Sequence, residues 1–259
     1  MKNCYKCYME KETEVLDFFD NKFLSFADEY KINRWSIPAL IESKILEKCG
    51  YFKTIPNNIT NISIISPMNL EDVALTGEVK SDYFENTEYY LTPAACLHFY
   101  PILSQRKDIR NELITTKARV YRYENGQFEN GRRLWDFTVR EFVAVGSFEY
   151  VNNFLKDFKI KALEFIKKYY ENAELKAAND NFYPTNENNM KQRIQKNNQL
   201  KFELVWDDLA LASFNYHEFH FSKEFGFDNN KTVVTGCVGF GLDRWLEFAG
   251  KVGLINELK

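Results

Sequence analysis

The chain has 259 residues, 45% of them hydrophobic and 27% charged, which are values of a globular protein long enough for one large domain or two small ones. The net charge of −3 and the isoelectric point of about 5.8 argue against nucleic acid as the main partner, because nucleic-acid-binding proteins usually carry a basic surplus. The polar N-terminus and the lack of an apolar run of about 20 residues predict a cytoplasmic protein without a secretory signal or a membrane span.

The first half of the chain predicts helices followed by strands. Apolar residues recur at helical spacing over 10–29, and a second helix is predicted over 38–48, where Gly50 is a stop signal just past its end. NISIIS has the composition of a strand. Residues 88–103 combine strand formers with two prolines, which predicts a strand, a turn and a short helix.

The second half predicts a mainly antiparallel sheet. Two strands within 115–147 are joined by a polar loop in which Asn-Gly, a strong turn signal, occurs twice. An amphipathic helix over 154–174 and a mobile polar insertion over 179–198 follow. Three further strands, KFELVWDD, ALASFNYHEF and KTVVTGCVGF, are closed by a helix over 243–250. We therefore predict the α+β class and a single domain over 1–259.

The five cysteines do not fit a disulfide framework in a chain that lacks a secretory signature. They are expected to be free thiols or metal ligands. Cys4 and Cys7 form a C-x-x-C pair, but no second pair follows, and we interpret this pair as incidental.

Two short stretches carry the strongest chemical signals. In VYRYE, Arg122 and Glu124 stand two apart on a predicted strand and would share a face, where they form either a nucleotide clamp or a cross-strand salt-bridge surface. In TGCVGFGLDRW, two glycines permit close approach of a ligand and Asp243 is expected at the helix N-cap. Arg244 in the first helical turn is unfavourable unless an anion binds there. The alternative interpretation of this stretch is a turn in which the glycines only permit close packing.

Taken together and in this order, the two stretches resemble motifs 2 and 3 of the class II aminoacyl-tRNA synthetase catalytic domain. RWSIPALIESKILEKCGYFKTIPNN resembles motif 1, which forms the dimer interface in that class and so implies a homodimer. The KFELVW strand, the SFN segment and the REFVAVGS strand resemble those of seryl-tRNA synthetases. The resemblance covers nearly the whole chain.

The long tRNA-binding arm of seryl-tRNA synthetases has no counterpart here, because only about thirty residues precede the motif 1-like segment. The chain therefore resembles most closely the amino acid:carrier-protein ligases, truncated homologues of the atypical, zinc-dependent seryl enzymes. The resemblance implies ATP-dependent activation of a small amino acid as an aminoacyl-adenylate. It further implies transfer to the phosphopantetheine thiol of a carrier protein, without tRNA.

The same resemblance implies a zinc site. In this family the metal is held by Cys, Glu and Cys from three strands, and Cys96, Glu141 and Cys237 occupy the matching positions. Three such ligands leave a fourth position open for water or for the α-amine of the substrate. The alternative for each cysteine alone is a buried free thiol.

The resemblance also implies a nucleotide site. Arg122 would stabilise charge on the α-phosphate, Glu124 would recognise the adenine amino group, and Arg244 would hold the γ-phosphate and stack on adenine. Phe137 would form the second wall of the adenine sandwich. The remaining expected nucleotide contacts are Gly239 and Gly241, which give the nucleotide close approach, and Glu203, which would bind magnesium.

Two further expectations concern the SFNYHEFHF stretch. It resembles an S-x-N-x-H-x-x-H-F segment of the ligases, in which His217 would contact phosphates or act as a base. The acidic residue that seryl enzymes place before the Ser-Asn segment is replaced by an apolar residue near Leu209, which leaves the number of magnesium ions open.

Two rival functions remain. A non-catalytic synthetase paralogue is disfavoured because the motif residues are all present. An enzyme that transfers the activated amino acid to a peptide, a small amine or an RNA is not separated from the carrier-protein ligase by the sequence. The identity of the amino acid also stays open.

Overall fold

The computed structural model describes residues 4–106, 108–227 and 232–256, except for the side chain of Asn256. Within these residues the strands β1 to β10 are, in chain order, Ile32–Arg34, Leu40–Glu42, Asn61–Ile65, Phe84–Leu91, Glu112–Tyr121, Asp136–Gly146, Glu174–Ala177, Lys201–Trp206, Leu209–Glu218 and Val234–Gly241. The helices α1 to α9 are Glu10–Ser25, Ser43–Lys48, Tyr51–Thr54, Leu70–Thr76, Phe99–Leu103, Phe148–Lys167, Asn186–Asn197, His220–Glu224 and Leu242–Lys251.

Seven strands form the main sheet in the order β1-β5-β6-β10-β9-β8-β7. Every neighbouring pair is antiparallel except β1 and β5, which run parallel. A smaller antiparallel sheet has the order β2-β4-β3. The predicted α+β class with a mainly antiparallel sheet is confirmed.

Helices α1, α6 and α9 cover one face of the main sheet, which we call the back face. Its core is aromatic: the Phe23 and Phe240 rings stack with centroids 4.0 Å apart, and Trp245 lies 5.0 Å from Phe23. Because side chains alternate along a strand, burial of Phe240 on the back face directs Gly239 and Gly241 to the opposite front face. The front face carries the site described below.

Two predicted helices have different limits in the structure. The helix expected over 38–48 begins only at Ser43, because Leu40–Glu42 pairs with β4 as a strand. The helix expected over 154–174 is α6, Phe148–Lys167. It begins earlier because the Ser147 side chain caps it by accepting a hydrogen bond from the backbone N–H of Tyr150.

The segment expected to be a mobile insertion over 179–198 contains helix α7, Asn186–Asn197, capped by the Thr185 hydroxyl. Residue 231, which was included in the last predicted strand, lies outside the described residues. Among the helices of the described residues, none combines the length and the apolar character needed to cross a bilayer.

Candidate active site

The front face brings four strands into register beneath the site. One row across the strands runs Glu141, Gly239, Ser213, Glu203. The next row runs Val143, Cys237, Asn215, Lys201. Neighbouring strands are about 4.8 Å apart, so residues in one row are close neighbours although they lie far apart in the chain.

A cluster of two thiols and a carboxylate lies at the β6–β10 side of this face. The sulfur atoms of Cys96 and Cys237 and a carboxylate oxygen of Glu141 lie within 4.8 Å of one another. All three residues are buried. Glu141 and Cys237 come from β6 and β10, as predicted, but Cys96 comes from a 3₁₀ turn, Ala95–His98, and not from a strand.

The three groups of the cluster change one another's pKa values. The hydrogen bond between the two thiols raises the pKa of Cys96 and lowers that of Cys237, which places the thiolate on Cys237. Burial raises the pKa of Glu141 to about 8, and the negative charge of Cys237 raises it further. The charged forms of these three buried groups repel one another. A cation bound between them would stabilise the charged forms.

The Cys237 sulfur has further polar neighbours on β9. Asn215 Nδ2 donates to Cys237 Sγ at 3.5 Å, and His217 Nε2 lies 3.4 Å from the same sulfur. His217 Nδ1 lies 3.0 Å from the Thr235 hydroxyl, which fixes the imidazole ring. The structure therefore places His217 beside the Cys237 sulfur of the cluster.

An orphaned polar atom adjoins the cluster. The Tyr100 hydroxyl is buried and has no hydrogen-bond partner among the described residues. Burial raises the pKa of Tyr100, and its ring packs in the same buried cluster of side chains as Cys96 and Cys237. The donor set of two sulfurs and one carboxylate, the mutual distances and this unsatisfied hydroxyl fit a zinc ion with three protein ligands.

Arg122 lies just beyond the end of β5. Its backbone N–H donates to Trp135 O at 2.8 Å, and its Nε donates to Pro93 O at 2.9 Å. The guanidinium carbon lies 5.5 Å from the centre of the Phe137 ring. The Pro93 carbonyl and an aromatic face thus hold the guanidinium without neutralising its charge.

Glu124 departs from the prediction. β5 ends at Tyr121, so Arg122 and Glu124 do not stand two apart on a strand, and Glu124 opens a 3₁₀ turn with a positive φ of 47°. The Asn-Gly pair that follows favours this turn over continued strand. The Glu124 carboxylate forms an ion pair with Arg133 Nε at 3.0 Å.

Arg244 lies in the first turn of α9, as predicted. Its Nε donates to Arg132 O and its Nη1 to Ala210 O, both at 2.8 Å. Burial lowers the pKa of Arg244, and the Glu124 charge opposes that shift, yet an arginine stays protonated. The ion pairs of the described residues include neither Arg122 nor Arg244, so both guanidinium groups are available to an anion.

The helix start differs from the expectation for Asp243. Gly241 is the N-cap, and Asp243 lies one residue inside the helix. Its carboxylate accepts hydrogen bonds from the Tyr8 hydroxyl and from the backbone N–H of Thr138, each at 2.6 Å. Asp243 therefore ties the N-terminal segment and β6 to α9.

Gly239 leaves a vacant space on the front face. A Cβ at this position would meet only Ser213 Oγ, at 3.6 Å, so the fold itself does not require glycine here. The space lies in the row between Glu141 and Glu203. Gly241 is similar, because a Cβ would meet only the Arg244 stem, at 3.8 Å or more.

On β8, the Glu203 side chain lies on the front face, and its carboxylate pairs with Lys201 Nζ at 3.1 Å. Leu209 packs into the back-face core, away from the site. The sequence analysis did not identify Tyr100 or Lys201. Of these, only Lys201 gave a signal, because a lysine at a front-face position of a buried strand needs a charged partner.

No family model matches this chain. It is 30% identical over 222 residues to "Amino acid--[acyl-carrier-protein] ligase 2" of Bradyrhizobium diazoefficiens, covering 80% of this chain and 66% of that protein. Ligase 1 of the same organism is 28% identical over 220 residues, covering 80% and 67%. A type-2 serine--tRNA ligase of Methanococcus aeolicus is 27% identical over 238 residues, covering 81% and 45%.

A solved structure shows the same fold. The M. kandleri SerRS, crystallised with A. aeolicus tRNASec, matches with a TM-score of 0.80 at 18% identity and covers 98% of this chain and 53% of that one. The chain thus spans about two thirds of the two ligases and about half of the seryl enzymes. The predicted class II synthetase fold is confirmed, and the chain is a class II synthetase-like protein, a homologue of the amino acid:acyl-carrier-protein ligases and of the type-2 serine–tRNA ligases.

Proposed function

We propose that this protein activates a small amino acid with ATP as an aminoacyl-adenylate and transfers it to the phosphopantetheine thiol of a carrier protein. The observation that carries this proposal is the arrangement of the front face. Two guanidinium groups that have no carboxylate partner among the described residues lie on the same face as a buried cluster of two thiols and a carboxylate. The two guanidinium groups can bind the phosphates of a nucleotide, and the cluster can bind the amine of an amino acid.

In the first step, a carboxylate oxygen of the amino acid attacks the α-phosphorus of ATP. A new P–O bond forms, the bond to the β-phosphate oxygen breaks, and pyrophosphate leaves with the electron pair. Arg122, fixed by Pro93 O, stabilises the negative charge on the α-phosphate oxygens. Arg244 holds the γ-phosphate, and Phe137 and Glu124 contact adenine. Glu203 is the proposed magnesium ligand, through the carboxylate oxygen that Lys201 leaves free.

Cys96, Glu141 and Cys237 would hold a zinc ion, with Asn215 and His217 supporting the Cys237 sulfur. When bound, zinc supplies a Lewis acid for the neutral α-amine of the substrate. The residues of the chain orient the amino acid, because Glu141 lies in the same row as the vacant space at Gly239 and Cys237 lies in the next row. The result is a carboxylate directed at the nucleotide.

In the second step, the thiol sulfur of the carrier arm attacks the carbonyl carbon of the adenylate. A thioester C–S bond forms, the C–O bond to the phosphate breaks, and AMP leaves while the thiol proton passes to solvent or to a nearby base. The names of the two Bradyrhizobium relatives support a carrier protein as acceptor. The names of the serine–tRNA ligases keep tRNA as the alternative acceptor.

We also propose a homodimer through the small sheet. The stretch of chain from β2 to β4 exposes an unusual number of large apolar side chains. They are Leu40, Ile64, Met68, Leu70, Leu75, Val79, Phe84 and Tyr89. Apolar side chains clustered in this way are typical of a protein interface. Light scattering on the wild type is expected to give twice the chain mass of 30.7 kDa, and Leu75→Glu is expected to yield monomers.

Amino-acid-dependent exchange of labelled pyrophosphate into ATP tests the activation step. Mass spectrometry of carrier proteins in their phosphopantetheine form, incubated with the enzyme, ATP and the preferred amino acid, tests the acceptor. A parallel reaction contains tRNA. We expect the mass increase of one aminoacyl group on the carrier protein, whereas charging of tRNA alone would replace the carrier-protein proposal.

A further inference from the structure

Helix α6 lies close to β10 but leaves a cavity beside β8 and β9 on the back face. At β10 the contact is tight, because a Cβ at Gly236 would meet Val151 Cγ1 at 2.8 Å and Leu155 Cδ1 at 3.1 Å. Farther along the sheet, a cavity of about 720 Å³ is lined by α6, by β8 and β9, and by the residues that precede β8. This volume is within the range of small-molecule sites. The cavity, which we call the α6 cavity, lies across the sheet from the proposed active site.

The floor of the α6 cavity is aromatic. Phe202 pairs with Phe214 in register across β8 and β9, and the Tyr216 backbone N–H donates to Leu200 O at 2.8 Å, so these side chains form two adjacent rows on the back face. Phe214 is buried in the core, whereas Phe202 and Tyr216 are only partly buried. Aromatic rings left partly open toward a cavity offer apolar surface to a ligand.

Lysines on α6 give the α6 cavity a positive charge. The Lys159 side chain is partly buried, which lowers its pKa, and its Nζ lies 4.3 Å from the centre of the Phe202 ring. Lys156, one turn earlier, lines the same cavity. In the part of the chain that the structure describes, the ion pairs of α6 lysines are those of Lys161, so both cavity lysines lack a carboxylate partner. A partly buried ammonium without a counterion favours an anionic ligand.

The opposite end of the α6 cavity is polar. Asn152 lies two turns before Lys159 on α6, about 10 Å along the helix axis. Gln199 and Glu218 also line this end, and both have left-handed backbone conformations, with φ of 52° and 53°. Such conformations are uncommon outside glycine and cluster at functional sites. Among the described residues that line the cavity, Glu218 is the one carboxylate against two lysines, so the lining has a net positive charge.

We propose that the α6 cavity binds a small organic anion that carries an aromatic or other apolar ring system. The acidic group of this ligand, a carboxylate or a phosphate, contacts Lys159 and Lys156. Its rings lie on Phe202 and Tyr216, and its far end reaches the polar groups beside Asn152. This site is distinct from the proposed active site, and its occupancy does not depend on the proposed function.

Two fluorescent dyes test whether the ligand must be an anion. Anilinonaphthalene sulfonate carries an acidic group, and phenylnaphthylamine has the same rings without it. Lys159→Met keeps an apolar stem and removes the charge. Lys167→Met is the matched control, since Lys167 is exposed at the end of α6 and does not line the cavity. We expect the sulfonate to bind Lys159→Met about tenfold more weakly than wild type or Lys167→Met. The affinity for phenylnaphthylamine should stay within about twofold in all three proteins.

Equal sulfonate affinity in Lys159→Met and Lys167→Met, with cooperative thermal transitions in both, would overturn the inference, because the dye would then bind at another apolar surface. A second variant, Asn153→Trp, fills the cavity from an exposed position on α6. It should lower the affinity for both dyes by about tenfold or more. Unchanged affinity for both dyes in this variant would also reject the site.

Competition with the sulfonate dye identifies the acidic group. Displacement by naphthylacetate assigns a carboxylate ligand, and displacement by naphthyl phosphate assigns a phosphate ligand, whereas failure of both contradicts the proposal. Dye titrations are repeated over a range of protein concentrations, with the mass measured by light scattering. Dye binding that disappears as the protein associates further would mean that another copy of the chain covers the cavity, and would also overturn the proposal.

Discussion

The two faces of the main sheet differ in what holds their residues in place. On the back face, close aromatic packing fixes the strands against α1, α6 and α9, and the polar Arg140 is paired with Asp20 at 2.7 Å. On the front face, Arg122 and Arg244 are held by backbone carbonyls and keep their charge, and two thiols and a carboxylate are buried together. Satisfied groups stabilise a fold, whereas groups held in place but left unsatisfied mark a binding site. We therefore predict that substitutions on the back face mainly lower stability, whereas substitutions on the front face mainly lower activity.

The largest expected effect is on Arg122, at the front of β5. Arg122→Ala removes the charge proposed for the α-phosphate and is expected to lower kcat/KM for pyrophosphate exchange by about 100- to 1,000-fold. Arg119→Ala is the matched control, because Arg119 pairs with Asp136 at 2.6 Å on the other side of the same strand. Arg119→Ala should stay within about threefold of wild type, as an exposed pair contributes little. Equal losses in both variants would argue against a role for the front face.

The second prediction concerns metal binding. Cys237→Ser is expected to lower zinc affinity by about 100-fold or more, since a zinc site gains on the order of 3 kcal/mol from each ligand. Cys49→Ser replaces another buried cysteine that does not belong to the cluster, and should retain zinc. Metal analysis after dialysis against a chelator measures both. Full exchange activity of the zinc-free wild-type protein would contradict a role for zinc in the reaction.

Two glycines on β10 give the third prediction. A Cβ at Gly236 would meet Val151 Cγ1 at 2.8 Å on the back face, so Gly236→Ala should lose about 1–3 kcal/mol of unfolding free energy. Gly239→Ala should leave the thermal transition in place but raise KM for the substrates by about 10- to 200-fold, because the methyl group occupies the vacant space. Thermal unfolding and exchange kinetics on the same samples separate the two effects. A stable and fully active Gly239→Ala protein would contradict a ligand site at this position.

The fourth prediction concerns the pH dependence of zinc binding at the cluster. The pKa of Glu141 in the metal-free protein is about 8, so below that pH zinc must displace a proton. Zinc affinity should therefore fall by about tenfold per pH unit for each displaced proton as the pH is lowered from 8 to 6. Calorimetry in buffers of different ionisation enthalpy counts these protons. Affinity that is constant over this range would show that Glu141 is not a ligand.

The sequence allowed the residues of the site to be predicted more reliably than their backbone setting. Cys96, Glu141 and Cys237 come together as expected, and Arg244 lies in the predicted first helical turn. Cys96 lies in the turn predicted within 88–103, although the resemblance implied a strand at this residue. The left-handed turn at Glu124 was missed, because the strand formers before it hide a local break. Local propensity is weak where a turn is fixed by tertiary contacts.

Contacts between distant segments were beyond the reach of sequence patterns. The Asp180–Lys201 pair depends on where Gln195 of α7 docks, and the polar composition of 179–198 predicted a mobile segment instead. A single buried amide, Asn188, anchors that segment on α3. One such hydrogen-bonded residue among many exposed polar ones gives no pattern in the sequence.

The central claim is that the front face activates an amino acid. The most direct measurement is pyrophosphate exchange into ATP by the wild-type protein, with magnesium and stoichiometric zinc, in the presence of each of the common amino acids in turn. The account predicts exchange that requires a small amino acid and disappears in Arg122→Ala. Folded, zinc-loaded protein that shows no exchange with any amino acid, or exchange that is independent of the amino acid, would contradict it.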